Sequence, residues 1–311
     1  MSIARVLITG GAGFVGTNLA NKLIDENYEI IIIDDLSSSY RESVNPKAIF
    51  IQGSVVDDVA LTECFSYNPD YVVHLAALFA NQNSVDHPDK DLEANGMGTI
   101  KVLEHSKRAG VKKVVYTSSS CVYGNKDIMK EGDIDFHPDT PYAITKLLGE
   151  YYSKFWSSQH GLDIAIVRLF NVYGPGDFPG EYRSVIPNFI DLATNNKPLT
   201  ITGSGNETRD FCFIDDTVNG ICLILFNKTD SSAIFNIATG IGTSIIEVAK
   251  YINLYCNNKA EIEFNERRDW DCVTDRKADI SKLQNSFGFS SKTSIEDGLK
   301  ITCDWFVDLK K

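Results

Sequence analysis

"RVLITGGAGFVGTNLANKLIDENYEIIIIDD", residues 5–35, places a run of aliphatic and β-branched residues before a glycine turn, then a stretch of helical periodicity, then a second aliphatic run closed by Asp34 and Asp35. That order predicts a βαβ unit. Gly10, Gly13 and Gly16 form G-x-x-G-x-x-G. The first allows a tight turn, the second lets backbone approach a pyrophosphate, and the third lets helix pack on strand. The helix begins near Phe14 and Val15, and its N-terminus offers N–H groups and a positive dipole end to phosphate. A glycine triplet alone also serves plain turns. Here the strand before it, the helix after it and the acids closing the next strand assign it to a dinucleotide. Asp34, with Asp35 beside it, accepts the ribose hydroxyls of NAD and repels a 2′-phosphate, so NAD is expected over NADP.

Further strands read as "AIFIQG" (48–53), "YVVHLAA" (71–77) and "VKKVVYTSSS" (111–120), separated by helical segments near 57–66 and 89–109. The latter is announced by Pro88, with Asp89, Asp91 and Glu93 in its first turn. Strands alternating with helices predict an α/β fold, a doubly wound parallel sheet whose strand ends converge on one edge. Thr117–Ser120 end such a strand and are expected beside the cofactor.

Composition narrows the class. The 311 residues are 43% hydrophobic and 23% charged, enough for one large domain and a smaller one. A net charge of −12 repels nucleic acid and anionic membranes, so neither is an expected partner and an anionic ligand must be held by local groups. Seven cysteines without a C-x-x-C pair point to a reducing, cytoplasmic setting. No leader or bilayer-length apolar run is read from the sequence. The five histidines are scattered without ligand spacing, so no metal is expected.

In "PYAITKLLGEYYSKFW" (141–156), Tyr142 and Lys146 stand four apart, on one face of a helix. A phenol with a pKa of ~10 is a poor base at neutral pH. A neighbouring ammonium lowers it, and a nicotinamide cation adds to the effect. An isolated Y-x-x-x-K reads more readily as a packed Tyr and a solvated Lys. The dinucleotide unit and the serine strand end upstream reverse that balance.

With these residues in hand, the chain resembles the extended short-chain dehydrogenase/reductases, in particular the NAD-dependent sugar-nucleotide epimerase/dehydratase family. The likeness rests on "TGGAGFVG" (9–16), "HLAA" (74–77), "NGMGT" (95–99), "SSSCVYG" (118–124), "YAITK" (142–146), "RLFNVYGPG" (168–176), "TGSGNETRDF" (202–211), "RRDWD" (267–271) and "ADISK" (278–282). It implies a Rossmann domain over 1–175, with 211–240 returning to it, and a sugar-nucleotide lobe from 176–210 and 241–311. It implies Tyr142 as base, Lys146 as its activator and ribose ligand, and Ser119 as partner of the sugar hydroxyl. Cofactor contacts are implied for Ser54, Val55, Leu75, Ala76, Ala77 and Asn95. Ser54 departs from the pattern, because many relatives have an Asp there facing adenine. Nucleotide-sugar contacts are implied for Asn171, Ile201, Arg209, Arg268, Asp271 and Arg276, and a homodimer is implied through the helices near 89–109 and 141–159.

The resemblance narrows the reaction less than the family. Dehydratases of the family place an Asp-Glu pair just after the Ser/Thr, and decarboxylases a Glu just before "VYG"; this chain has Ser120 and Cys121 there. Without a carboxylate to move a carbon-bound proton, elimination has no evident catalyst. The expected reaction is 4-epimerisation of a sugar nucleotide, UDP-linked by preference, through a transient 4-keto sugar. Two alternatives stay open: a dehydratase or decarboxylase using Cys121 as acid/base, and a non-catalytic NAD-binding scaffold. GDP-fucose synthases pair a Cys at this position with a His where this chain has Ser184, so Cys121 is read first as a small packed hydrophobe. Arg276 is read narrowly as a surface residue, with recognition of a uronate carboxylate as the alternative.

Overall fold

The computed structural model describes residues 3–79, 81–133, 138–267 and 274–310. Strands β1 (Arg5–Thr9), β2 (Glu29–Asp34), β3 (Ile49–Gln52), β4 (Tyr71–His74) and β5 (Lys113–Ser119) lie in the order β3-β2-β1-β4-β5. Ile164–Leu169 and Ile234–Ile237 extend the sheet beyond β5 to seven strands. The pairings among β1 to β5 are all parallel, with Leu7 between Ile31 and Val72, and Val73 opposite Val115. A sheet covered on both faces needs strands that are apolar at every position, which is why Val6–Ile8 and Ile30–Ile33 are continuous aliphatic runs with almost no exposure. Strand order reverses between β1 and β4, and at such a switch point the carboxyl ends of the strands leave a crevice for a ligand.

Two close approaches explain the glycines of the first turn. Gly10 has φ +67°, and a Cβ on it would lie 2.7 Å from the Ala76 nitrogen at the end of β4. A Cβ on Gly16, inside helix α1 (Phe14–Asp25), would lie 2.4 Å from the Gly10 carbonyl oxygen. The loop, the helix and β4 therefore meet through bare backbone.

The chain divides into two compact units. The first comprises Met1–Val122, Thr140–Arg168 and Val218–Phe235; the second comprises Tyr123–Asp139, Leu169–Thr217 and Asn236–Lys311. Tyr123–Asp139 groups with the second because Ile128–Met129 pairs in parallel with Lys277–Ala278. Within that unit the parallel pair Leu199–Thr202 and Ile262–Asn265 and the helices Val185–Thr194, Ile245–Tyr255 and Ile295–Leu309 form the framework. Buried Asp210 ties its loops together, accepting from the Thr239, Gly240 and Ala278 N–H groups and the Thr239 hydroxyl at 2.6–3.2 Å.

In the first unit the helix Pro141–His160 is well terminated. Pro141 occupies its first turn, the Thr140 hydroxyl accepts from the Ala143 N–H, and Gly161 closes it at φ +65°. Its inner face carries Glu150 into the core. There Arg168 donates to both carboxylate oxygens at 2.8 Å and the Ser118 hydroxyl donates at 2.6 Å. Glu150 and Arg168 are almost wholly buried, so the fork-on-fork pair replaces hydration that neither can keep. Ser118 belongs to β5, so Glu150 also ties this helix to the strand end that bears Ser119.

His74, at the end of β4, is a second buried polar centre. The Thr99 hydroxyl donates to the Asn95 carbonyl at 2.6 Å, so His74 Nε2 donates to Thr99 at 3.0 Å and Nδ1 accepts from the Thr9 hydroxyl at 2.6 Å. The ring is held neutral. Burial, aided by the Lys146 charge, pulls its pKa from 6.5 down to about 3.

These two centres generate two stability predictions. Glu150→Ala leaves the Arg168 guanidinium buried without its carboxylate and is expected to cost about 3–5 kcal/mol in denaturant unfolding. A loss under 1 kcal/mol would show that the pair is dispensable. For His74, the unfolded chain binds a proton that the folded chain refuses between its ordinary pKa and about 3, so stability is complete above the ordinary value and falls as pH drops. Between pH 7 and pH 5 the parent should lose roughly 2 kcal/mol more than His74→Gln. Equal pH slopes would remove His74 from the account.

Candidate active site

The dinucleotide cradle is built by the ends of β1, β2 and β4. Among the described residues no side chain caps α1 at Gly13, and its first turn holds no acid, so its dipole end is open to an anion. Phe14 and Val15 open that helix. Asp34 is already fixed in place: one carboxylate oxygen accepts from the Ala12 N–H at 3.0 Å, the other from the Leu36 N–H at 2.9 Å and the Ser39 hydroxyl at 2.8 Å. Leu36 takes φ +60°, an uncommon conformation for a branched side chain beside a binding loop. Asp35 is exposed and closes a turn onto the Ser37 N–H.

The remaining expected cofactor residues are placed as follows. Ser54 accepts from the Val56 N–H, and Val55 is buried against Gly98. The Leu75 N–H donates to the Thr9 carbonyl and the Ala76 N–H to the Thr9 hydroxyl, which holds the segment after β4 close to the glycine turn. Ala77 is partly exposed in the same segment. Asn95 is buried in a π-helical turn, Leu92–Met97, and its amide is committed to protein. It accepts from the Leu78 N–H at 2.7 Å and donates toward the Leu78 carbonyl, Asp91 and Thr145. It thus acts on the cradle through the backbone at Leu78. The open helix end, the Gly10 approach and the fixed Asp34 together fit a dinucleotide.

Ser119, Tyr142, Lys146 and Cys121 are brought together in the first unit. Ser119 ends β5, and its hydroxyl accepts from the Cys121 N–H at 3.2 Å across the helical turn Ser120–Tyr123. It is also hydrogen-bonded to the Tyr142 phenol. Lys146 is buried, donates to the Thr117 carbonyl at 3.0 Å and lies 5.7 Å from the centre of the Tyr142 ring. The Tyr142 N–H donates to the Ser84 hydroxyl, and the Tyr116 hydroxyl donates to the Lys146 carbonyl. Tyr116 reaches the helix because position 149 is glycine; a Cβ there would lie 2.0 Å from the Tyr116 oxygen.

The electrostatics correct one expectation. Lys146 stands beside the phenol, yet Tyr142 is pushed above its ordinary pKa, because burial dominates and the fields of Cys121 and Asp91 add to it, while the Ser119 hydrogen bond opposes. Burial also draws Lys146 down to about 8, against the pull of Asp91 and Cys121. Without further positive charge the phenol is a poor base.

Of the other residues expected to meet the nucleotide sugar, the described ones, Asn171, Ile201, Arg209 and Arg276, lie in the second unit. Asn171 sits at φ +26° and donates its amide to the Asp210 carbonyl at 2.9 Å. Ile201 is buried in its strand, where it offers shape and no polar contact. Arg209 donates to the Thr208 carbonyl at 2.8 Å, and the Thr208 N–H donates to the Thr274 carbonyl, which brings Arg209 beside the segment bearing Arg276. Arg276 overturns the surface reading: it is 7% exposed and its guanidinium faces the Gly124 carbonyl at 3.4 Å. Arg268 and Asp271 lie outside the described residues.

The sequence reading passed over Asp91, Thr145, Glu150 and Arg168 as parts of the site. Signals for two of them were present. An arginine inside the apolar run "IAIVRLF" needs a buried partner, and Glu150 is one helical turn beyond Lys146 on the same face.

Residues 6–238 match the profile of the NAD dependent epimerase/dehydratase family. An epimerase structure from Methanothermobacter thermautotrophicus superposes with a TM-score of 0.97 at 43% identity, covering 99% of this chain and 93% of that one. The UDP-glucose 4-epimerase of Thermotoga maritima, solved with UDP-glucose, superposes with a TM-score of 0.94 at 32% identity, covering 99% and 100%. A UDP-N-acetyl-alpha-D-glucosaminuronate decarboxylase of Bacillus cytotoxicus is 32% identical over 320 residues, 98% of each chain. The glycine cradle, Asp34 and the Ser119–Tyr142–Lys146 set are thus read in the frame of a known fold, and the chain belongs to the NAD-dependent epimerase/dehydratase family.

Proposed function

We propose that the chain is a UDP-sugar 4-epimerase that works through a transient 4-keto sugar. The observation that carries this reading is the gathering of Ser119, Tyr142 and Lys146 in one unit, with Ser120 and Cys121 at the positions where an eliminating enzyme needs carboxylates. NAD held by the glycine turn, the open end of α1 and Asp34 would supply reversible hydride acceptance. Tyr142 accepts the proton of the C4 hydroxyl as the C–H bond gives up its hydride, and the carbon becomes a ketone. Ser119 orients that oxygen. After the sugar turns over, the hydride returns to the opposite face and Tyr142 gives the proton back to the oxygen. Atoms and electrons balance with no net redox change.

UDP-hexoses and UDP-uronates are both candidate substrates. The buried Arg276 favours a carboxylate-bearing sugar, since a guanidinium held in a protein interior matches a carboxylate. Arg209 supplies a further cation for diphosphate in an otherwise acidic chain.

We further read the protein as a homodimer of the reducing cytoplasm. Leu92, Met97, Ile144, Tyr151 and Phe155 are each about half exposed, and 144, 151 and 155 share one face of the catalytic helix. The described cysteines are all free thiols, and no helix among the described residues is long and apolar enough to cross a membrane.

Two predictions test these readings. With a panel of UDP-glucose, UDP-galactose, their N-acetyl forms and UDP-glucuronate, the products should keep the substrate mass. Tyr142→Phe should lower turnover by at least ~10³-fold with NAD still bound. Cys121→Ala should stay within a few-fold of the parent. Loss of water or carbon dioxide, or a 4-keto sugar accumulating in Cys121→Ala, would replace epimerisation by a reaction with proton transfer at carbon. In sedimentation the parent should run as a dimer at micromolar concentration, and Tyr151→Glu with Phe155→Glu should run as a monomer. A monomeric parent would end the dimer reading.

A further inference from the structure

Asp91 closes the short helix Pro88–Asp91 and immediately precedes the π-helical turn that carries Asn95. It is 0% exposed. One carboxylate oxygen accepts from the Asn95 amide at 2.7 Å and the other from the Thr145 hydroxyl at 2.6 Å. Both donors are neutral. A carboxylate buried on neutral donors alone is costly, and it is tolerated where a cation shares its field.

The available cation is Lys146, the residue after Thr145. The other buried acid on this helix, Glu150, already has the Arg168 guanidinium on both oxygens. Lys146 is buried and donates to the neutral Thr117 carbonyl. The titratable groups that face it from the packed elements are Asp91, Tyr142 on its own helix, Cys121 on the turn after β5, His74 of β4 and Tyr116 of β5. His74 is neutral in this setting, which leaves Asp91 as the carboxylate of the group. Burial raises the Asp91 carboxyl, opposed by the Thr145 hydrogen bond and the Lys146 charge, and burial draws the Lys146 ammonium down to about 8, opposed by Asp91.

Asp91 also fixes an orientation. By accepting a hydrogen bond from the Asn95 amide N–H it sets which end of that amide meets the Leu78 N–H, so the segment after β4, the π-helical turn and the helix Pro141–His160 are tied at one carboxylate.

We propose that Asp91 is a positioning residue of the reaction: it is the buried counter-charge that keeps Lys146 an ammonium, and through Thr145 and Asn95 it locks the catalytic helix to the Leu78 segment. This rests on the reading of Tyr142 and Lys146 as the catalytic pair. Removing the charge lowers the proton affinity of Lys146 and of Tyr142 together, because the same field raises both.

The test uses the full chain loaded with NAD. In the parent, the ¹³Cγ resonance of Asp91 should report a carboxylate at pH 7. In Asp91→Asn, the ¹⁵Nζ resonance of Lys146 should show its proton lost roughly one pH unit or more below the parent. Both limbs of the pH profile of kcat should move to lower pH in the same variant, which a purely structural role would not produce. A protonated Asp91 in the parent at pH 7, or a Lys146 that titrates at the parent's pH in Asp91→Asn, overturns the proposal. Should the variant not fold, the ionisation of Asp91 in the parent decides alone. The two resonances are read without substrate, so a parent that turns over no UDP-sugar counts against the epimerase reading and leaves this one to its own result.

Discussion

One helix brings two charges, Lys146 and Glu150, into an interior where neither can be hydrated, and the surrounding site is arranged to answer both. Glu150 is met by the fork of Arg168 and by Ser118. Lys146 is met by a carbonyl of β5 and by the field of Asp91. Because every answer comes from another element, satisfying the charges also sets the distance between helix and strand. Gly149 adds the steric half of the same arrangement, since only a bare position lets the Tyr116 hydroxyl reach the Lys146 carbonyl. Placing Tyr142 near Ser119 is a by-product of burying the charges one and two turns further on.

The cradle for the dinucleotide obeys a different constraint, backbone against backbone. Gly10 and Gly16 stand where any side chain would collide with main-chain atoms, so the turn, α1 and β4 are drawn into van der Waals contact. Thr9 then holds the segment after β4 by its carbonyl and its hydroxyl, while that hydroxyl donates to His74 Nδ1. Asp34, the expected reader of the cofactor ribose, is restrained by three protein donors. Its carboxylate therefore loses little freedom on binding, and a rigid reader of a ribose edge discriminates better than a mobile one.

How much of this was legible depended on range. Strand, turn and helix within residues 5–35 announce themselves by periodicity and glycine spacing, both local properties, and the structure follows them closely. Tyr142 and Lys146 were legible because four residues on a helix fix a shared face. Asp91 was not. In the sequence it stands with Asp89 and Glu93 as one more acid in a helix's first turn, whereas its Thr145 partner is 54 residues away. Arg276 failed for the same reason: one residue in a polar stretch carries no mark of the Gly124 carbonyl, 152 residues before it, that it meets in the interior. The raised phenol of Tyr142 was missed because a pKa sums burial and remote charge, and the spacing of a motif reports only the nearest cation.

In the reaction proposed for this chain, that raised pKa would give the proton transfer its direction. Tyr142 is held by burial in its protonated form, and one buried ammonium whose own proton is loosened does not reverse this. Tyr142 becomes a base only when a second positive charge stands beside it. A nicotinamide held by the glycine turn, the open end of α1 and Asp34 would supply such a charge in its oxidised form and would lose it on reduction. While the hydride is on the sugar, that charge would favour loss of the phenol proton, and Tyr142, as the proposed base, could then accept one from the hydroxyl. Once the hydride has left, that charge is gone and burial makes the phenol hold its proton firmly. Ser120 and Cys121 stand where an eliminating enzyme needs acids, so neither position offers a carboxylate to move a carbon-bound proton, and this supports the proposed return of the hydride over elimination.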